Sequence, residues 1–434
     1  MKETINIFWF RRDLRLDDNH GFYEALKSKY PVMPIFIFDT DILDKLPKND
    51  ARVTFIFETL QNMRHILEEE HGSSIALYQG KPLDIFKKLV ESHTINTVYT
   101  NHDYEPYAKT RDAQIASLLQ THKINFNTFK DQVIFEKDDI LKSDATPYVV
   151  YTPYMKAWKA RFKTISLQHY NVSACLSTLV KNTHLPNLTL SDIGFSRSNQ
   201  PIKDYKVDAS LIQNYETTRN FPAQDSTSKL GPHLRFGTVS IRKMIQKAVA
   251  EKNETFWQEL IWREFFMHIL WHFPQTATQS FKPKYDRIDW RNNETEFKRW
   301  CEGKTGYPLV DAGMRQLNQT GFMHNRVRML VGSFLCKHLL IDWRWGEAYF
   351  AEKLHDYDMA SNVGNWQWVA GCGVDAAPYF RIFNPTTQIE KFDKNLRYIN
   401  QWVPDFQELT YPAPMVDHSF ARERCLRVYK EALQ

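Results

Sequence analysis

Long apolar runs are missing from this 434-residue chain: none reaches about 18 residues, so no membrane span is expected. Cysteine is sparse. The five residues, at 175, 301, 336, 372 and 425, form no CxxC pair, which removes the signal for a zinc ribbon or an iron–sulfur cluster. Their odd number suits a reducing compartment. No secretory leader is read, because MKETINIFWF runs directly into a strand pattern, and a cytoplasmic protein is expected. Charge of one sign is also lacking. The net charge is +5, with 25 Lys+Arg against 24 Asp+Glu up to residue 200 and 31 against 27 beyond it. Such a mild basic excess is compatible with a polyanion partner without requiring one. No repeat at a fixed period and no low-complexity tract is present.

Aromatic residues, by contrast, reach 14%, and ten of the twelve Trp fall after residue 250. That asymmetry points to an aromatic-lined site in the C-terminal half. The length predicts two domains. TINIFWF, PVMPIFIFD, SSIALYQ, NTVYTN and NFNTFKDQVIF read as strands, separated by helical patterns such as ARVTFIFETLQNMRHILEEE and KPLDIFKKLVESH. This alternation predicts a Rossmann-like, doubly wound α/β domain with a parallel sheet over residues 1–135. Residues 136–205, rich in Pro, Ser and Asn, read as a connection holding one helix. Residues 206–434 read as an all-helical domain. Within it FWQELIWREFFMHILWHF is apolar all round, as a buried helix should be, and HNRVRMLVGSFLCKHLLI and GEAYFAEKL are further helices.

Three motifs are set aside. GCGVDA at 371–376 fits a dinucleotide fingerprint but lies in the helical half, without the strand that such a loop must follow. GKT at 303–305 lacks the preceding Gly of a phosphate-binding loop. His268 and His272 have metal-ligand spacing but no third ligand, so they read as core histidines and no metal is expected.

Four constellations could carry chemistry. In DSTSKLGPHLRFG, Thr227 and Ser228 precede a helix and could form an anion nest or simply cap it. In ELIWRE, Glu259 and Trp262 share a helix face, as a pocket wall or as a core Trp beside a paired carboxylate. In MHNRVRM, Asn325, Arg328 and Met329 can face one way, to recognise an amide-like edge or to bond another helix. In HDYDMASN, followed by NWQW, Asp356, Asp358 and Asn362 converge, and three such polar groups each need a partner.

Taken together, FWFRRDLRLDDN, STSKLGPHLRFGTVS, ELIWREFF, GKTGYPLVDAGMRQL and NVGNWQWVAGCGVDAAPYFRIFNP resemble the cryptochrome/photolyase flavoproteins over essentially the whole chain. The resemblance is closest to a bacterial class I cyclobutane pyrimidine dimer photolyase. It implies an α/β domain followed by a helical domain holding FAD. Carried over position by position, Tyr215, Thr227, Ser228, Lys229, Leu230 and Gly231 would lie along the FAD phosphates and ribityl chain. Arg328 and Asp356 match a salt-bridged pair beside the flavin, Asp358 a carboxylate near its ring and Asn362 the amide facing its N5. Trp366, Trp343 and Trp290 match the proximal, middle and surface members of an electron-transfer triad, while Trp368 matches a wall of the substrate cavity.

The implied activity is light-driven repair of cyclobutane pyrimidine dimers in DNA. The dimer would be flipped from the duplex and stacked on Trp262 and Trp368, with Glu259 and Asn325 at its edge and Met329 touching it. Arg219, Arg326, Arg381 and Lys391 match positions near the DNA backbone. Met329 after HNRVR, and the short stretch beyond the helical domain, favour this over a (6-4) photolyase or a signalling cryptochrome. YEPYAKTRD lacks the Asn-Glu pair of one pterin-binding branch. A second antenna chromophore could therefore be a deazaflavin, a flavin or a differently bound pterin, or be absent. UV-damaged DNA is the expected partner of a monomer needing no protein partner and no membrane.

Overall fold

β1 (Thr4–Phe10) and β2 (Val32–Asp39) are apolar at nearly every position, the pattern of strands covered on both faces. The computed structural model, which describes residues 3–434, uses them in this way. Phe8 and Phe10 join Phe36 and Phe38 in one core, while Ile5, Ile7 and Trp9 join Ile35 and Ile37 in another. With β3 (Ala76–Gly80), β4 (Thr94–Asn101) and β5 (Asn125–Phe129) they form a parallel sheet in the order β3-β2-β1-β4-β5. Helices α1 (His20–Leu26) and α2 (Ala51–His71) supply Phe22, Leu60 and Leu67 to the first core. Helices α3 (Pro82–Ser92) and α4 (Pro106–Thr121) supply Phe86, Leu89 and Ile115 to the second. The expected doubly wound sheet is therefore present.

NFNTFKDQVIF is strand only as far as Phe129. Asp131 then turns inward and takes Arg15 at 2.6 Å and Arg242 at 2.8 Å. That pairing also explains the division of the chain. By contacts, one compact unit runs up to Glu136 and includes Arg161–Tyr205 and Leu230–Lys247; the other comprises Lys137–Ala160, Lys206–Lys229 and Ala248–Gln434. Residues 230–247 are not part of the helical unit, because Arg242 also reaches Asp18 at 3.0 Å and the Leu14 amide donates to the Phe236 carbonyl.

The second unit is helical. Its helices include α5 (Tyr151–Phe162), the helix of the predicted connection, and α6 (Ala209–Thr218). The apolar α7 (Thr255–His272) buries Phe256, Trp257, Leu260, Ile261 and the run from Glu264 to Leu270. Next come α8 (Pro308–Thr320), α9 (Asn325–Ser333), α10 (Trp343–Lys353), α11 (Met359–Ala370), α12 (Pro385–Phe392) and α13 (His418–Leu433). HNRVRMLVGSFLCKHLLI is not one regular helix: α9 gives way to a π turn over Phe334–His338. The His268 and His272 rings lie 4.5 Å apart, edge to face. Among the described residues no helix is long and apolar enough to cross a membrane.

Candidate functional site

Two capping groups set the site. The His324 imidazole accepts the Arg326 amide at 3.1 Å and starts α9. The Asp358 carboxylate accepts the Ser361 amide at 3.3 Å and starts α11. From these starts the helical repeat brings Asn325, Arg328, Met329 and Gly332 of α9 against Asn362, Trp366 and Val369 of α11. They line a cavity of about 90 Å³, together with Asp356, Asp358 and Trp368, over an apolar wall of Phe350 and Leu354. Eight of the residues singled out from sequence thus share one cavity.

Its polar side is organised. Arg328 and Asp356 form a two-pronged ion pair, at 3.1 and 2.9 Å. The Asn362 amide nitrogen donates to the Glu347 carboxylate at 2.9 Å and to its carbonyl at 3.1 Å, leaving the amide oxygen for another partner. Burial pushes the Glu347 carboxyl upward. Trp366 is 3% exposed, packed edge to face with Phe350 at 4.9 Å and with Trp300 at 6.2 Å. A Cβ on Gly346 would lie 2.1 Å from the Trp366 ring, so α10 needs glycine there for the indole to fit.

A cationic neighbourhood adjoins the ion pair. Lys229, with a left-handed φ of 55°, reaches the Thr227 hydroxyl at 3.2 Å and sits over Phe322 at 4.2 Å. Arg328 flanks the same ring at 5.9 Å. His324 is 2% exposed; its pKa falls to about 4, through burial first and then through Lys229, Arg328 and Arg326. Tyr215 of α6 lies edge to face with Phe256 of α7, and burial pushes its hydroxyl up to about 12. Thr227, Ser228 and Lys229 belong to the helical unit; Leu230 and Gly231, which opens a short helix, belong to the α/β unit.

On α7, Glu259 is ion-paired with Arg219, and burial pushes its carboxyl upward against that pull. Trp262 stacks on Tyr151 of α5, with centroids 3.6 Å apart and planes within 8°. Arg326 donates to the Asn220 side chain at 2.5 Å and lies over Phe392 at 4.5 Å. Lys391 lies at the end of α12, and Arg381 is exposed in the preceding loop. Trp343 is 1% exposed in the same core as Trp366, while Trp290 packs edge to face with Tyr429 at 6.0 Å and is partly buried. None of these lines the cavity.

Sequence reasoning missed Glu347, Tyr151, Phe322 and Trp300. Each acts across helices rather than along one, and no spacing rule reports such pairs. The one available signal was Glu347 itself, a carboxylate in the largely apolar GEAYF.

Residues 256–410 match the family model described as the FAD binding domain of DNA photolyase, and residues 6–172 match the model described as DNA photolyase. A deoxyribodipyrimidine photo-lyase of Synechococcus is 36% identical, covering 98% of this chain and 96% of that protein. A bacterial class III photolyase from Agrobacterium tumefaciens has a TM-score of 0.87 at 33% identity, covering 100% of this chain and 98% of that one. An archaeal photolyase from Sulfolobus tokodaii, solved with two FAD molecules, has a TM-score of 0.81 at 32% identity, covering 98% and 99%. The Agrobacterium protein is a class III photolyase, which gives no support to the class I expectation.

Proposed function

Because this chain belongs to the DNA photolyase family, we propose that it is a deoxyribodipyrimidine photo-lyase that uses light to split cyclobutane pyrimidine dimers in DNA. The observation that carries the reading is the cavity between α9 and α11, where Arg328, Asp356, Asp358 and Asn362 face Trp366 and Trp368. The donor set suits a flavin: polar groups for the heteroatom edge of a flat ring, an apolar wall for its face, and the cation Lys229 for phosphate.

Bound FAD, reduced and excited by light, would supply the electron that opens the dimer. The protein's own part is to hold and orient. The Arg328–Asp356 pair and Asp358 would hold the ring edge, and Glu347, which holds the Asn362 amide nitrogen, would leave the carboxamide oxygen to meet the flavin. Tyr215, Thr227, Ser228, Lys229, Leu230 and Gly231 would carry the phosphates and ribityl chain. Trp262, stacked on Tyr151, would take a flipped base on its other face, and Trp368 would form a second wall. Glu259 and Asn325 would hydrogen-bond the edge of the dimer, with Met329 against it. Arg219, Arg326, Arg381 and Lys391 would meet the phosphate backbone. Trp366, Trp343 and Trp290 would pass electrons inward. The reading has the chain acting on DNA as a monomer in the cytoplasm.

Support for a second chromophore in the α/β unit comes from one cavity. A cavity of about 170 Å³ opens at the carboxyl ends of β1 and β2, between Trp9, Phe36, Phe38, Tyr107 and Arg111. Carboxyl strand ends are where open parallel sheets bind ligands. Its flat aromatic lining fits a flavin or deazaflavin ring.

The test is loss of lesions from irradiated DNA under blue light, with cyclobutane dimers and (6-4) products followed separately. Dimers should disappear. Disappearance of (6-4) products alone would overturn the assignment of Met329.

Arg328→Met should weaken FAD retention about tenfold or more, because it strips the Asp356 carboxylate of its two-pronged partner beside the ring. The ratio of flavin to protein absorbance after gel filtration measures this. An unchanged ratio would separate the ion pair from the cofactor.

A further inference from the structure

Lys337 is an anomaly. It lies in the π turn Phe334–His338 and is 1% exposed, yet among the described residues no carboxylate pairs with it. Its ammonium donates to the Arg381 carbonyl at 2.8 Å. Burial brings its pKa down to about 8, with smaller upward effects from the thiols of Cys425, Cys336 and Cys372 and a downward one from the charge of Arg381. Burying a cation against a carbonyl is expensive, and an apolar side chain there would cost less.

The carbonyl it holds lies in the loop 371–384, between α11 and α12. On either side of that point the loop turns inward. Tyr379 stacks on Tyr429 with centroids 5.9 Å apart, and Ile382 packs against the same core. Between them Phe380 is 61% exposed and the Arg381 side chain is exposed. The loop is thus gripped from within at the residue whose side chain faces out.

We infer that Lys337 is a positioning residue for DNA binding: its ammonium fixes the Arg381 main chain so that the guanidinium is presented to the phosphate backbone beside the cavity. This rests on the reading of Arg381 as a phosphate contact. The test is a double-mutant cycle. Lys337→Met removes the buried charge at similar length, which favours rather than threatens the fold, and thermal unfolding verifies it.

Lys337→Met should weaken binding to intact and damaged duplexes alike, by about tenfold, as loss of one phosphate contact would. In the Arg381→Ala background it should cost less than about twofold more, because the group it positions is gone. Lys337→Gln, which keeps an N–H donor, should recover most of the affinity. Unchanged binding by Lys337→Met, losses that multiply in the double variant, or a glutamine as weak as the methionine would overturn the proposal. Unchanged binding by Arg381→Ala alone would overturn the reading of Arg381 and the proposal with it.

Discussion

Trp366→Phe should abolish light-driven reduction of bound oxidised FAD, yet leave dimer repair intact when the flavin is reduced chemically. Indole gives up an electron far more readily than benzene, so phenylalanine fills most of the space without conducting. The packing favours a clean result. Trp366 touches Phe350 and Trp300, both aromatic, and Gly346 leaves room on the α10 side. A smaller ring leaves a modest void, costing about 1–2 kcal/mol of stability. Absorbance during illumination follows reduction, and dimer loss in pre-reduced samples follows repair. If both fail together, Trp366 acts through packing. If reduction survives, electrons enter by another ring, and the contact with Trp300 makes that residue the next to replace.

Trp262→Ala should weaken binding to damaged DNA by about 1–3 kcal/mol while barely changing binding to intact duplex. The indole already has Tyr151 against one face, so a base stacked on the other completes a three-layer stack. Truncation removes the middle layer. Affinity for intact DNA comes mainly from cations and should persist. Arg381→Ala should do the opposite, weakening both duplexes equally and flattening the salt dependence by about one unit of slope. Paired salt titrations decide between them. Equal losses on both duplexes for Trp262→Ala, with FAD retained, would mean that this Trp does not read the lesion.

The sheet was legible because β1 and β2 announce burial on both faces residue by residue. Part of the cavity was legible for a related reason: Asn325, Arg328 and Met329 are spaced to share a helix face, while Trp366 was legible only through the resemblance. What could not be read was set by contacts between distant segments. Glu347 meets Asn362 from another helix. Tyr151 reaches Trp262 from a segment that read as a connection. The π turn interrupts an otherwise helical pattern, and its Lys337 donates to a carbonyl 44 residues away. Residues 230–247 look like the start of a helical domain but join the α/β unit through distant contacts, among them Arg242 with Asp18 and Asp131 and Phe236 in the first sheet core.

That last pairing has a consequence for the nascent chain. Asp18 is fully buried and Asp131 nearly so, and Arg242 pairs with both, although Asp131 also has Arg15. The final strand of the sheet ends at Phe129, but the segment that completes the unit runs to Lys247, 118 residues later. At ribosomal rates of about 5–20 residues per second, that is a wait of roughly 6–24 s. Through that interval Asp18 has no Arg242 to neutralise it. The sheet can pair, but its ionic centre cannot close until more than half the polypeptide has left the ribosome.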